Sequence, residues 1–366
     1  MRASMVSSLV VCCVAACVLD GRCADPHNAR EDLTSKTNDD NLFRQEDVSF
    51  NSTGVKLNGT LTYPLPGGRP KHPAIVLVHG TGSTDRDGTF PTMKLTLKQG
   101  NVAAEGEPSK EWSMRTYRQI AEGLSTNGFA ALRFDKRGWA EGGNDKVEMT
   151  LDLLCDDVKS ALSYLRTRTD IDHQAMFVLG HSEGGIIAQK LAADLQWLRG
   201  IILFASPITP LHELTHDMTA YILRLRGVAE DEIQRSLDKN KQEYESIRRG
   251  EYPEATLGGV PAKHWRSLIL HDPLATLRKC PPTTGVLILN GAKDWQIPPK
   301  EAITIYIELK NLNHENVELH IFSMLDHHLL EETGVSRVEN YFVKRRNIPA
   351  YVTDTVSQWL DRTCHP

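Results

Sequence analysis

The chain has 366 residues, 40% hydrophobic and 24% charged, with a formal net charge of −5 and a pI near 6.3. That is an ordinary globular composition with room for one large domain or two small ones. The acidic balance argues against nucleic acid or an anionic membrane as an electrostatic partner. Beyond the N-terminal segment no run of 18 or more apolar residues occurs, so no spanning helix is expected in the body.

Residues 1–24 differ from the rest. Arg2 precedes an uncharged stretch from Met5 to Val18, the three-part pattern of an export signal with a thin basic region. Cleavage after Ala16 fits the small-residue rule, and Val14-Ala15-Ala16-Cys17 also has the form of a bacterial lipobox. The expectation is export to the periplasm or exterior, with membrane attachment only if Cys17 is lipidated. The alternative is a start assigned upstream of a cytosolic enzyme. Cys12, Cys13, Cys17 and Cys23 lie in or beside this segment, leaving Cys155, Cys280 and Cys364 in the body. Three scattered cysteines form neither a disulfide framework nor a metal-ligand spacing, although one Cys280–Cys364 bridge is conceivable.

Residues 25–47 are polar and without apolar periodicity, and read as a leader or linker. Asn51-Ser52-Thr53 and Asn58-Gly59-Thr60 match the glycosylation sequon but serve equally as turn residues. Order is expected from Val48. Val48–Phe50, Val55–Leu57 and Gly59–Tyr63 alternate in hydrophobicity and suggest antiparallel strands. Ala74-Ile75-Val76-Leu77-Val78 is a continuous apolar run, the mark of a strand buried on both faces, and exits through His79-Gly80-Thr81-Gly82.

A long loop follows from Ser83 to about Glu111. Tyr117, Ile120, Ala121 and Leu124 then fall on one helical face, which Asn127-Gly128 terminates. Phe129–Phe134 is the next strand, with Asp135-Lys136-Arg137-Gly138 as its turn. Leu151, Leu154, Val158, Leu162 and Leu165 mark an amphipathic helix, Ala175–Leu179 a strand, and Gly200–Ala205 another. The alternation breaks at about 207–282, where two helical stripes end at Gly227 and Gly250 and no convincing strand occurs. This stretch reads as an inserted helical cap. Alternation resumes with Gly285–Asn290, a helix near 299–309, the strand Val317–Phe322 and a last helix near 350–360. Strand–helix alternation implies right-handed crossovers and a mostly parallel sheet covered on both faces. Binding in such sheets gathers at the strands' C-terminal ends.

One strand end stands out. Gly180-His181-Ser182-Glu183-Gly184 joins an apolar strand to a helical run, so Ser182 sits at the apex of a tight turn between two glycines. Gly180 and Gly184 suit a turn in which flanking backbones approach too closely for a Cβ. A nucleophilic serine needs a base, and histidine can take and return a proton near neutrality. Past the strand ends downstream, Asp294 is the candidate acid and Leu325-Asp326-His327-His328 supplies the base, giving the order Ser…Asp…His. Taken singly, Asp294 reads better as a turn aspartate, and His327 or His328 as a structural histidine. The joint arrangement is what points to catalysis. Donors for an anionic intermediate are expected from the N–H of Glu183 and that of Thr81.

With those residues in view, the sequence resembles the bacterial serine carboxylesterases of the α/β-hydrolase superfamily. The matching stretches are His79-Gly80-Thr81-Gly82-Ser83-Thr84-Asp85-Arg86-Asp87, Arg133-Phe134-Asp135-Lys136-Arg137-Gly138, Gly180–Gly185 and Asn290-Gly291 with Asp294-Trp295-Gln296-Ile297-Pro298. The resemblance runs from about Val48 to the C-terminus. It implies an α/β-hydrolase fold with a mostly parallel central sheet, helices on both faces and an inserted helical cap. It also implies Ser182 as nucleophile, Asp294 as acid and His327 as base, with His328 the alternative base. Departures are the segment 94–108 and Trp139-Ala140-Glu141, both of which bear on pocket shape. Asp85, Arg86, Asp87 and Arg137 are expected to form an Arg–Asp network that stiffens the oxyanion loop, rather than a grip on a substrate anion. The carboxyl of Glu183 has three candidate roles: proton donor, partner of Arg137, or partner of a cap residue.

The expected activity is hydrolysis of a small-molecule carboxylic ester through an acyl-serine, with no metal and no organic cofactor. An amidase, peptidase or lactonase of the same fold is the runner-up, and a secreted binding protein with a decayed site is the third reading. The cap is expected to roof the substrate pocket.

Overall fold

A computed structural model of the protein describes residues 42–66, 69–82, 84–88, 114–138, 147–252, 256–257, 260–341 and 347–364. The export signal, Cys17, Ser83 and the segments 94–108 and 139–141 lie outside the described residues. The frame is an eight-stranded sheet in the order β1-β2-β4-β3-β5-β6-β9-β10. These strands are β1 (Phe43–Ser52), β2 (Val55–Pro64), β3 (His72–Val78), β4 (Ala130–Phe134), β5 (Ile171–His181), β6 (Gly200–Phe204), β9 (Gly285–Gly291) and β10 (Val317–Phe322). β1 and β2 form an antiparallel hairpin, and β2 runs antiparallel to β4. All remaining pairings are parallel. β1 therefore starts at Phe43, inside the stretch expected as leader. The first residues of β1 are mostly exposed and are held by main-chain pairing to β2, which apolar periodicity does not report.

The parallel strands earn their central places by composition. Val76, Met176, Phe177, Ile201 and Leu287 are fully buried because helices cover both faces. Those helices are α1 (Thr116–Thr126), α2 (Leu151–Arg166), α3 (Glu183–Asp194), α8 (Pro299–Asn311) and α9 (Ala350–Cys364). α2 shows the local logic well. The Thr150 hydroxyl accepts the Leu153 N–H at 3.3 Å as N-cap, and Leu154, Val158, Leu162 and Leu165 bury one face.

Between β6 and β9 the described residues form four helices: α4 (Leu211–Leu225), α5 (Glu230–Arg249), α6 (Ala262–Ile269) and α7 (Pro273–Leu277). Gly227 and Gly250 end the first two in left-handed conformation, at φ 70° and 84°. A two-residue hairpin, β7 (Thr256–Leu257) with β8 (Val260–Pro261), precedes α6 and departs from the expectation of a strandless insert. Such a short pair carries no periodic signal. Tyr244 of α5 meets Trp265 of α6 edge-on at 5.3 Å and accepts the Thr215 hydroxyl at 3.0 Å, which ties α4, α5 and α6 together. The thiols of Cys155, Cys280 and Cys364 are all free, so Cys280 and Cys364 are not bridged. Burial pushes both of the latter up to about 11. Among the described residues no helix is long and apolar enough to cross a membrane.

Candidate active site

β5 delivers its last residue into a reversal that only a strained backbone makes. Ser182 has φ 55° and ψ −120°, a left-handed conformation that is unusual for a residue with a Cβ. Its N–H completes the parallel ladder to the Phe204 carbonyl at 2.9 Å, and its own carbonyl accepts the Gly185 N–H at 2.8 Å as α3 begins. The turn tolerates nothing larger at its flanks. A Cβ on Gly180 would lie 2.0 Å from the Gly184 carbonyl oxygen, and one on Gly184 would lie 2.4 Å from that of Val78. Ser182 is thereby fixed at the positive end of a 12-residue helix, 5% exposed.

The acid and base arrive from the two strands beyond. After β9, the Asp294 Oδ1 accepts the N–H groups of Gln296 and Ile297, both at 2.9 Å, and its Oδ2 meets His327 Nδ1 at 2.8 Å. Asn290 braces this loop by donating from Nδ2 to the Ile297 carbonyl at 3.0 Å. Both Asp294 and His327 are 4% exposed. A carboxylate accepts only, so Nδ1 of His327 carries the proton and Nε2 presents a lone pair. His328 goes elsewhere: its ring packs perpendicular to Tyr341 at 4.7 Å, and its N–H donates to Asp326 Oδ1 at 2.9 Å.

The other side of Ser182 is built from residues far apart in sequence. Gly80 lies against the nucleophile, since a Cβ there would stand 3.1 Å from Ser182 Cβ. Its N–H donates to the Tyr117 oxygen at 3.0 Å, Tyr117 meets His181 Nδ1 at 2.9 Å, and His181 Nε2 meets the His327 carbonyl at 3.0 Å. The proton positions follow by elimination. A carbonyl can only accept, so His181 holds its proton on Nε2, Nδ1 accepts, and the Tyr117 hydroxyl donates to it. His181 is thus a neutral imidazole with both nitrogens engaged. Burial, reinforced by nearby His327, holds its pKa well below the ordinary histidine range.

Glu183, fully buried, lies between Lys136 and His264 rather than on Arg137. Its Oε1 is 3.2 Å from Lys136 Nζ and its Oε2 is 3.0 Å from His264 Nε2 on α6. Burial alone would raise its pKa, but Lys136 and His264 override that and hold the carboxyl well below the usual range. Its side chain is therefore ionised and no proton donor. Lys136 Nζ also donates to the Gly80 carbonyl at 2.8 Å.

Arg137 pairs instead with Asp157, Nε to Oδ2 at 2.8 Å. Arg86 takes Asp135 in a forked pair, at 3.0 Å from Nε and 2.7 Å from Nη2, and Asp87 takes Arg133 at 2.8 Å. Arg86 on Asp135 and Arg133 on Asp87 thus brace the turn after β3, whereas Arg137, expected in the same network, is bound to Asp157 of α2 instead.

The cap reaches this centre twice. Besides His264 on Glu183, Tyr221 of α4 stacks on Trp295 with centroids 5.3 Å apart and planes 11° apart, one residue past Asp294. A cavity of about 480 Å³ between the start of α2, α3 and α6 is a separate place, lined by residues such as Asp152, Lys190 and Arg266 and not by Ser182, Asp294 or His327. Tyr117, His181, Lys136 and His264 were not singled out as functional from sequence. His181 and Lys136 stand inside recognised motifs, whereas nothing local marks His264.

A mostly parallel sheet with a strained serine turn at the end of β5, and an Asp–His pair past β9 and β10, has the form of an α/β-hydrolase of the serine type. The chain belongs to the Hydrolase_4 family, described as serine aminopeptidase S33, which it matches over residues 110–334. It is 28% identical over 325 residues to esterase EstD of Thermotoga maritima, covering 88% of this chain and 68% of that protein. Two solved structures share the fold at lower identity. Est1E from Butyrivibrio proteoclasticus matches with a TM-score of 0.50 and 15% identity, covering 87% of this chain and 99% of its own. An esterase of Pyrococcus furiosus matches with 0.51 and 18%, covering 87% and 91%.

Proposed function

We propose that the protein hydrolyses small carboxylic esters through an acyl-serine intermediate. The observation that carries this reading is the His327–Asp294 pair, 2.8 Å apart and buried, beside a serine held in left-handed conformation. Ser182 Oγ attacks the ester carbonyl carbon while His327 Nε2 takes its proton. Asp294 keeps Nδ1–H in place and stabilises the imidazolium. The N–H groups of Thr81 and Glu183 receive the oxyanion. Collapse breaks the ester C–O bond, His327 protonates the leaving alkoxide, and Ser182 is left acylated. Water, deprotonated by His327, then attacks the acyl carbon and releases the acid. The cap, with Tyr221 and Trp295 at its edge, roofs the substrate. In the same proposal the enzyme is exported, and Cys17 offers its one route to a membrane anchor.

The family's description favours one competitor, an aminopeptidase. Such an enzyme must receive a substrate ammonium, usually on a free carboxylate. Glu183, next to the nucleophile, and Asp294, bonded to the base, each have both oxygens engaged already. That supports the ester reading, as does the likeness to EstD. The test compares aryl ester and aminoacyl amide turnover by purified protein and by Ser182→Ala. Ester hydrolysis should dominate and fall by a factor on the order of 10⁴ or more in the variant. Full activity in Ser182→Ala sinks the proposal.

A further inference from the structure

We propose that Lys136 is the positioning residue of the oxyanion site, fixing and polarising the peptide that carries the Thr81 N–H. This inference rests on the acyl-serine reading above. Lys136 is the second residue past β4 and is 3% exposed, so its ammonium works in a dry interior. It donates to the Gly80 carbonyl at 2.8 Å and lies 3.2 Å from Glu183 Oε1.

The Gly80 carbonyl and the Thr81 N–H belong to one peptide group. No described peptide is cis, so the two bonds point in opposite directions across one plane. A cation on the carbonyl therefore turns the N–H away from itself. This peptide needs such a hold. Gly80 has no Cβ to confine it on one side, and Gly82, at φ 97°, lies one residue beyond Thr81, so side chains of this stretch do little to fix the peptide's tilt. The preceding peptide is already pinned, since the Gly80 N–H donates to Tyr117 at 3.0 Å. Lys136 supplies the remaining constraint at the point where Gly80 touches Ser182.

Charge adds to position. Hydrogen bonds in series polarise one another at low dielectric, so an ammonium on the oxygen strengthens the donor on the nitrogen. Lys136 pairs moreover with the side chain of Glu183, whose main-chain N–H is the second proposed donor. One cation therefore touches the carbonyl behind the first donor and the residue that bears the second. His264 on the cap holds the far oxygen of Glu183 at 3.0 Å, which links cap seating to the same cluster.

The experiment uses the full enzyme and two variants in which the buried pair is neutral: Lys136→Met with Glu183→Gln, and Lys136→Gln with Glu183→Gln. Active sites are counted by fluorophosphonate labelling of Ser182, so kcat refers to folded enzyme. Three quantities are read: kcat, KM for an aryl ester, and the affinity of an aryl trifluoromethyl ketone, whose adduct places an alkoxide in the oxyanion position. In the methionine variant kcat should fall by about 10–10²-fold, with KM within about threefold and ketone affinity reduced in step with kcat. The glutamine variant keeps an N–H donor but no charge and should lose about tenfold. A purely structural role would lower thermal stability and leave kcat per labelled site and ketone affinity unchanged. That result in either variant overturns the proposal, and the glutamine variant decides alone if the methionine one does not fold. Failure of wild-type Ser182 to label, or to turn over esters, would instead overturn the acyl-serine reading itself.

Discussion

Ser182 has two flanks built by different means. On the Asp294–His327 flank, the carboxylate is held by N–H groups two and three residues along its own loop, and a single side-chain bond crosses to the neighbouring loop. On the Gly80 flank almost every bond joins distant stretches: Gly80 to Tyr117, His181 to His327, Lys136 to Gly80, Glu183 to His264. The first flank spends main-chain donors that the fold leaves free at a strand end. The second places a charged cluster in a dry interior, where removing one member of a buried ion pair typically costs about 3–5 kcal/mol. The groups to which the proposal above gives the proton transfers are thus held largely by local means. The groups that set posture around them are held by long-range wiring.

The comparison is broken most forcefully at Asp294. An Asp294→Asn variant keeps an oxygen for the Gln296 and Ile297 N–H groups, so the loop should persist. The amide then faces His327 Nδ1 with an N–H, favouring the tautomer whose Nε2 carries a proton and cannot accept one from Ser182. We expect kcat to fall by about 10³–10⁴-fold with an unfolding midpoint within a few degrees of wild type. A loss of tenfold or less would mean that this flank does not supply the base.

A medium effect sharpens the other flank. His79 and His181 are both buried and neutral, with His79 pulled down to about 3 by burial and by Lys136, and His181 shifted in the same direction. Unfolded histidine titrates near 6.5. Above that pH both states are neutral and stability is intact. As pH falls below it, the unfolded chain gains protons that the folded one refuses, so stability declines down to the folded pKa. Each such histidine can contribute up to about 1.4 kcal/mol per pH unit in that window. Urea unfolding between pH 7 and 5 should show this decline. His181→Gln, which still offers an N–H to the His327 carbonyl, should flatten the slope. An unchanged slope would show that His181 is protonated in the folded state.

The same contrast explains what was legible beforehand. The elbow, Asp294 and His327 stand in short motifs at strand ends, where the chemistry is local and spacing reports it. Tyr117 reads from sequence as one residue of an apolar helical stripe, which it is, and its hydroxyl's place between Gly80 and His181 exists only after folding. His264 sits on a cap helix more than 80 residues past Ser182, and its ring bonds to Glu183, far away in sequence. Glu183 shows the limit well. Its motif leaves three roles open, and the turn after β4 offers two adjacent cationic side chains, Lys136 and Arg137, so that only packing decides between them. Arg137 goes to Asp157 on α2. The start of β1 was missed for a related reason, since Phe43–Asp47 is held by main-chain pairing to β2 and not by a buried face.

The smallest expected effect concerns two adjacent histidines, His327 as the expected base and His328 as its alternative. His327 points Nδ1 at Asp294, whereas His328 lies edge-on to Tyr341 at 4.7 Å. The turn itself is held by main chain, with Asp326 Oδ1 accepting the N–H groups of His328 and Leu330 at 2.9 and 3.1 Å. Both bonds survive when the His328 side chain is removed. His328→Ala should therefore keep His327 in place and cost stability, about 1–2 kcal/mol for the lost aromatic packing. Its kcat should stay within about tenfold of wild type, while His327→Ala loses turnover. Activity equally absent from both variants, with His328→Ala still folded, would bring His328 into the chemistry and erase the distinction between the local flank and the wired one.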